Sequence, residues 1–241
     1  MIRISQEPAF VLHHYSYGET SLLLEIFTRQ HGRLGVVAKG ARRARSPLRS
    51  ALIPFQLLTV NYSGRGELPT LAAAEPAAAT TPFIGEALYC GLYLNELLLR
   101  LLHRHDPHEH LFQSYAETLN HLSGNSGREA TLRVFEKRLL EEIGYGLVLT
   151  RDSHNGSPVQ PDLEYCYVPE RGPLPVDSGG ESGIRVRGRS LLALAREELG
   201  DPDALREAKR LLRGLLARQL GNKPLMSRQL FHPERTTGTV E

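Results

Sequence analysis

Residues 9–28 read AFVLHHYSYGETSLLLEIFT, and residues 32–46 read GRLGVVAKGARRARS. The first run carries apolar and aromatic side chains at period two or in short bursts, broken once at Gly18. That texture predicts two strands joined by a tight turn. RQHG at residues 29–32 is a second turn, and residues 33–40 are a third strand. Beyond the basic connection at residues 41–50, residues 52–62 predict a fourth strand, with Pro54 early enough to be tolerated. SGRGE at residues 63–67 is a glycine-rich turn, and residues 68–75 close the set. Five strands with tight turns in so short a span predict a small closed barrel.

The same stretch carries a charge anomaly. No Asp or Glu lies between Glu25 and Glu67, while Arg29, Arg33, Lys39, Arg42, Arg43, Arg45, Arg49 and Arg65 do. The formal net charge of +2 hides this segregation: of 29 basic residues, 21 face 27 acidic ones outside the window. Such segregation argues for a polyanion ligand on the N-terminal region, with nucleic acid the first expectation. Phosphate contacts release condensed counterions, so such binding weakens with salt. Tyr15, Tyr17, Phe55 and Tyr62 are candidates to stack bases.

Downstream the texture changes. Residues 77–82 are a small-residue linker, and the chain beyond it is mainly helical in pattern. Residues 85–105 are apolar nearly all round and predict a buried helix. Residues 109–122 and 128–143 give two more helices, the latter with Leu132, Phe135, Leu139 and Leu140 on one face. Residues 150–189 are rich in Pro, Gly, Asp and Ser and predict an irregular subdomain with a short hairpin. Two further helices are predicted at 190–199, with Ser190 as N-cap, and at 202–220, with Asp201 before Pro202. The fold class is α+β: a barrel domain over residues 1–80, a helical domain over 81–233, and a frayed tail over 234–241.

Chemistry-bearing motifs are few. The segment around Lys39–Gly40 does not match the phosphate-loop pattern. HRHDPHEH at residues 103–110 lacks cysteine and zinc-like spacing, which favours an exposed corner between helices. Cys90 lies in an apolar helix and Cys166 stands alone, so neither a disulfide framework nor a catalytic triad can be drawn. Two cysteines and no signal-peptide run fit a soluble, cytoplasmic protein, and with no catalytic constellation in the sequence neither an enzyme nor a cofactor is expected. Arg128, Arg133, Lys137 and Arg138 mark the third helix, and Arg133 beside Leu132 and Phe135 suits a pocket for a carboxylate with an apolar neighbour. The helix at 202–220 has Leu205, Ala208, Leu212, Leu215 and Leu216 inward and Arg206, Lys209, Arg210, Arg213 and Arg218 on its flanks.

Taken in order, AFVLHHYSYGETSLLLEIFT (9–28), GRLGVVAKGARRARSPLRSALIPF (32–55), GRGELPTLAAAE (64–75), LYCGLYLNELLLRLL (88–102), LRVFEKRLLEEIGYG (132–146), LREAKRLL (205–212) and LGNKPLMSRQLF (220–231) resemble the RecO family of bacterial recombination mediators over almost the whole chain. The resemblance implies an oligonucleotide-binding barrel and a helical domain. It implies sequence-independent binding of single- and double-stranded DNA, and annealing of strands coated by single-strand-binding protein. Loading of the RecA recombinase with the partner RecR, at the bacterial nucleoid, is implied as well. On this resemblance Lys39, Arg42, Arg43, Arg45 and Arg49 fall in the family's basic DNA-binding region; with Arg33 and Arg65 of the same acid-free window they make up the expected DNA-binding set. Arg133, with Arg128, Phe135 and Lys137, is the candidate site for the acidic tail of the single-strand-binding protein. Some members carry four zinc-binding cysteines in the helical domain; with only Cys166 in residues 150–189, no structural zinc is expected.

The rival readings differ in class. A generic single-strand-binding barrel would bind without annealing. A metal-dependent nuclease would need carboxylates near the basic groove, where the window has none. A pure interaction scaffold would keep its DNA affinity, if any, when Arg42 and Arg43 are reversed in charge.

Overall fold

The computed structural model describes residues 2–78, 82–124, 126–176 and 183–231. The expected tail at 234–241 lies outside the described residues, as do positions 79–81 of the expected linker. Strands β1 (Ile2–Tyr17), β2 (Ser21–Thr28), β3 (Gly32–Ala38), β4 (Leu57–Gly64) and β5 (Thr70–Pro76) close a barrel in the order β1-β2-β3-β5-β4. The closing contact is the parallel one, Val37 opposite Thr70. Inward positions alternate along each strand: Leu24 and Ile26, Leu34 and Val36, Leu58 and Val60 fill the interior.

Two strands start several residues away from the sequence reading, and the first long helix ends at Leu101 rather than 105. β1 begins at Ile2, well before residue 9, and bulges let one long strand bend to serve both β4 and β2. The fourth strand starts at Leu57, not 52, because residues 48–51 form a single helical turn, α1 (Leu48–Ala51). Phe55 then takes a left-handed conformation, φ +67°, ahead of the strand.

The bulge between Val11 and His13 leaves the Leu12 carbonyl outside the ladder. Asn95 Nδ2 donates to it at 2.9 Å, and the Tyr115 hydroxyl donates to Asn95 Oδ1. These partners come from α2 (Gly85–Leu101) and α3 (Glu109–Leu122), which lie against the outer face of the barrel. Phe10 and Phe27 complete that contact with Phe112 and Tyr115, ring centroids 5.0–6.3 Å apart. Burial pushes the Tyr115 hydroxyl far above its usual pKa, so it stays a donor. Gly32 is fixed by close approach: at φ +66° a Cβ there would meet the Asp106 carbonyl oxygen at 2.0 Å.

The chain divides into two compact units. One holds the described residues up to Ser123 together with those from Pro224 onward; the other is Gly124–Lys223. In the first unit, α2 presents one outer stripe to the returning chain. Arg100 donates to the Pro224 carbonyl at 3.1 Å, and Glu96 accepts from the Met226 and Ser227 amides at 2.9 and 2.8 Å. Arg228 sits over Tyr93, and Phe231 meets Tyr89 edge-on. This segment is a 3₁₀ helix, Met226–Phe231.

The second unit contains α4 (Arg128–Glu142), α5 (Gly188–Arg196) and α6 (Pro202–Leu220). In place of a short hairpin it has a three-stranded sheet, β7-β6-β8, from β6 (Glu164–Val168), β7 (Gly172–Pro175) and β8 (Ile184–Arg187). Asp201 caps α6 through Ala204 N at 2.8 Å, as expected. Ser190 caps nothing: α5 starts two residues earlier, and its side chain is buried. On α6 the buried face is Ala204, Ala208, Leu211, Leu212, Leu215 and Leu216, with Leu205 only half-buried.

Candidate nucleic-acid interface

The basic connection between β3 and β4 is anchored rather than loose. Ala41 and Leu52 are buried, and Leu48 packs against the barrel core. Successive turns close it: Arg43 N to Gly40 O at 3.1 Å, Ser46 N to Arg43 O at 3.0 Å, and Arg49 N to Ser46 O at 3.2 Å. It is also stitched to the β1–β2 turn. Gly40 N reaches Ser21 Oγ at 3.3 Å, Arg42 N reaches Thr20 O at 2.8 Å, and Arg42 Nη1 reaches Gly18 O at 3.3 Å. With Ala41, Leu48 and Leu52 turned inward, Lys39, Arg42, Arg43, Arg45 and Arg49 are all exposed.

Arg65 is exposed on the β4–β5 loop. The end of that loop returns to β3, where Val37 N donates to Pro69 O at 2.9 Å, two residues before Lys39. None of these six side chains makes an ion pair among the described residues. The other two basic residues of the acid-free window do. Arg29 meets Glu109 at 2.6 Å, and Arg33 Nη1 meets Glu25 at 3.0 Å. Arg33 also donates from Nε to Leu102 O at 3.1 Å, so its guanidinium is committed within the protein. Uncompensated charge is thus concentrated on the connection and the β4–β5 loop.

Glu25 and Arg104 were absent from the sequence-derived set. Glu25 is buried, and its second oxygen accepts from Arg104. A lone carboxylate in the middle of SLLLEIFT was the available signal, since a charge there must find partners.

Of the aromatic candidates, Tyr62 lies in the barrel core, where burial first and Glu7 second push its hydroxyl pKa up to about 12. Phe55 is buried and stacked on Phe83 at 5.1 Å. Neither face is open to a base. Tyr15 and Tyr17 are 50% and 48% exposed.

On α4, Arg133 is buried and bonds Glu136 at 2.5 Å, while its Nε has no acceptor among the described residues. Lys137 is buried and bonds Glu197 at 3.0 Å. Arg128 is half-buried and donates to Gly124 O at 2.7 Å, and Phe135 is fully buried. Arg138 also binds Glu197, at 2.6 Å. Burial would raise the Glu197 carboxyl, but hydrogen bonds and charge from Arg138 and Lys137 outweigh it and hold its pKa below the ordinary 4.5. The histidine-rich corner at 103–110 joins α2 to α3, with His105 N donating to Arg33 O at 2.9 Å, and no group of metal-ligating side chains occurs among the described residues. No helix among them is long and apolar enough to cross a membrane.

A closed barrel in this strand order, with helices on its outer face, defines an oligonucleotide-binding-fold protein of mixed α and β class. Comparison with known sequences gives the family. Residues 1–80 match the family model "Recombination protein O N terminal", and residues 84–229 match "Recombination protein O C terminal". The chain is 48% identical over 239 residues to the "DNA repair protein RecO" of Nitrosococcus oceani, covering 99% of this chain and 97% of that one. That of Nitrosospira multiformis is 48% identical over 230 residues, 95% of each chain. That of Dechloromonas aromatica is 47% identical over 232 residues, 95% of this chain and 96% of that one. The chain belongs to the RecO family.

Proposed function

We propose that this chain is a DNA repair and recombination mediator. It binds single- and double-stranded DNA without sequence preference, anneals complementary strands coated by single-strand-binding protein, and with RecR promotes RecA loading. The observation that carries the reading is the set of six exposed basic side chains without ion pairs, held on an anchored connection and an adjoining loop. Family membership and the relatives' shared name, DNA repair protein, support it.

The mechanism is electrostatic. Lys39, Arg42, Arg43, Arg45, Arg49 and Arg65 neutralise phosphates and release counterions. Two strands that repel in solution can then lie close enough for pairing to nucleate. Base pairing supplies the sequence match, so the protein reads no bases and catalyses no covalent step. Arg33, tied to Glu25, acts here by holding the β2–β3 hairpin together rather than by reaching DNA.

The acidic tail of the single-strand-binding protein docks on α4. Support comes from Arg133, whose buried Nε is a donor without an acceptor among the described residues. Arg128 lies in the first turn of the same helix, Phe135 belongs to its buried residues, and Lys137 reaches a ligand by exchanging Glu197 or Glu141 for it. Tail binding concentrates the protein on coated DNA.

The test is annealing of two complementary oligonucleotides coated with single-strand-binding protein, intact or lacking its acidic tail. Acceleration that requires the tail supports the mediator reading. DNA binding without acceleration would leave a generic single-strand-binding barrel.

A further inference from the structure

We infer that Tyr15 and Tyr17 form a stacking platform for the unpaired bases of single-stranded DNA, giving the barrel a preference for single strands over duplex that the phosphate-binding connection cannot supply. The inference deepens the proposed function and rests on it.

The two tyrosines lie two residues apart on β1, so their rings leave the same face of the sheet about 6.5–7 Å apart. That face belongs to the β1–β2 ladder, where Tyr15 is opposite Leu23 and Tyr17 opposite Ser21. His13, on the same face, meets Tyr15 edge-on at 4.5 Å and fixes the inner end of the row. The small Ser21 leaves the ring of Tyr17 uncovered on the side of β2. Neither tyrosine hydroxyl makes a hydrogen bond among the described residues, and both rings remain about half exposed. Large aromatic surface is ordinarily buried, so a paired exposure on one face suggests a ligand with flat apolar faces.

Charge placement says what that ligand is. Arg42 donates to the carbonyl of Gly18, the residue after Tyr17. Ser21, opposite Tyr17, accepts from the amide of Gly40, the residue after Lys39. The row of rings therefore ends where the uncompensated cations begin. A ligand with stacked planes and a backbone anion alongside fits both features. Unpaired nucleobases offer their π faces; paired bases inside a duplex do not.

The test compares three probes: a thymine oligonucleotide of about 20 residues, long enough for a barrel's binding site, an abasic strand of equal charge, and a duplex of equal length. The wild-type protein is set against Tyr15→Ala/Tyr17→Ala, Tyr15→Phe/Tyr17→Phe and Arg43→Ala/Arg45→Ala. The alanine pair is expected to lose about tenfold in affinity for the thymine strand, equivalent to ~1.4 kcal/mol, with less than a twofold change on the other two probes. The phenylalanine pair should match wild type, because it keeps the π faces and loses only unbonded hydroxyls. The arginine pair should weaken all three probes. Equal losses on every probe from the alanine pair, or none on the thymine strand, would overturn the platform while leaving the electrostatic reading intact. A wild-type protein that binds no probe would sink both.

Discussion

Arg33 Nη1 lies 3.0 Å from Glu25 Oε2 across the β2–β3 hairpin, and the other Glu25 oxygen accepts from Arg104. Glu25 is the last carboxylate before the acid-free window, and it neutralises a member of that window from within the barrel wall. Glu25→Gln leaves two guanidinium groups around a neutral amide. Removing one partner of a buried charge cluster costs several kcal/mol; with Arg104 partly exposed, a loss of ~2–3 kcal/mol is expected, read by urea unfolding. Arg33→Gln should likewise lower stability more than DNA affinity.

The free cations should behave in the opposite way. Lys39, Arg43, Arg45 and Arg49 break no ion pair when removed. Replacing all four by alanine should leave the unfolding midpoint nearly unchanged. It should also flatten the dependence of log affinity on log salt by roughly three charges' worth. A titration series between low and moderate salt reads that slope, and an unchanged slope would remove this connection from the interface.

Glu197 gives a pH dependence. It sits at φ +62° at the end of α5, where glycine is favoured, and its carboxylate holds both Lys137 and Arg138. Its pKa in the folded protein is below the ordinary 4.5. The stability from this contact is therefore present above about 4.5 and is lost as pH falls through the lowered value. Glu197→Gln should cost ~1–3 kcal/mol at neutral pH and shrink the acid-dependent part of the unfolding curve.

Gly32→Ala tests the close approach to the α2–α3 corner. A Cβ 2.0 Å from the Asp106 carbonyl oxygen cannot be accommodated without moving backbone, and φ +66° adds its own strain. Overpacking and a left-handed non-glycine residue together predict a loss of ~2–5 kcal/mol. Thermal unfolding of the variant checks it.

The barrel was legible because its strands alternate cleanly and its turns carry glycine. The same rule could have disqualified Tyr62 as a stacking residue, since period two puts it inward with Leu58 and Val60. Phe55 was not legible: its burial depends on a left-handed turn and on Gly91, where a Cβ would come within 2.7 Å of its ring. The basic connection could be read as charge, but its rigidity could not, because Ala41, Leu48 and Leu52 find their seats only once the barrel closes. Nor does periodicity reveal that Arg29 and Arg33 already have carboxylate partners while their neighbours do not. Ion pairs such as Arg29 with Glu109 join residues far apart in sequence.

Because Pro224, Met226 and Ser227 bond to Arg100 and Glu96, residues 124–223 form an excursion that leaves the first unit and returns to it. During synthesis the outer stripe of α2 must wait for roughly 120 further residues before its partner emerges, several seconds at ribosomal speed. Nascent chains stalled before residue 224 should therefore show an α2 surface open to chaperones, and that surface would be covered once residues 224–231 have emerged.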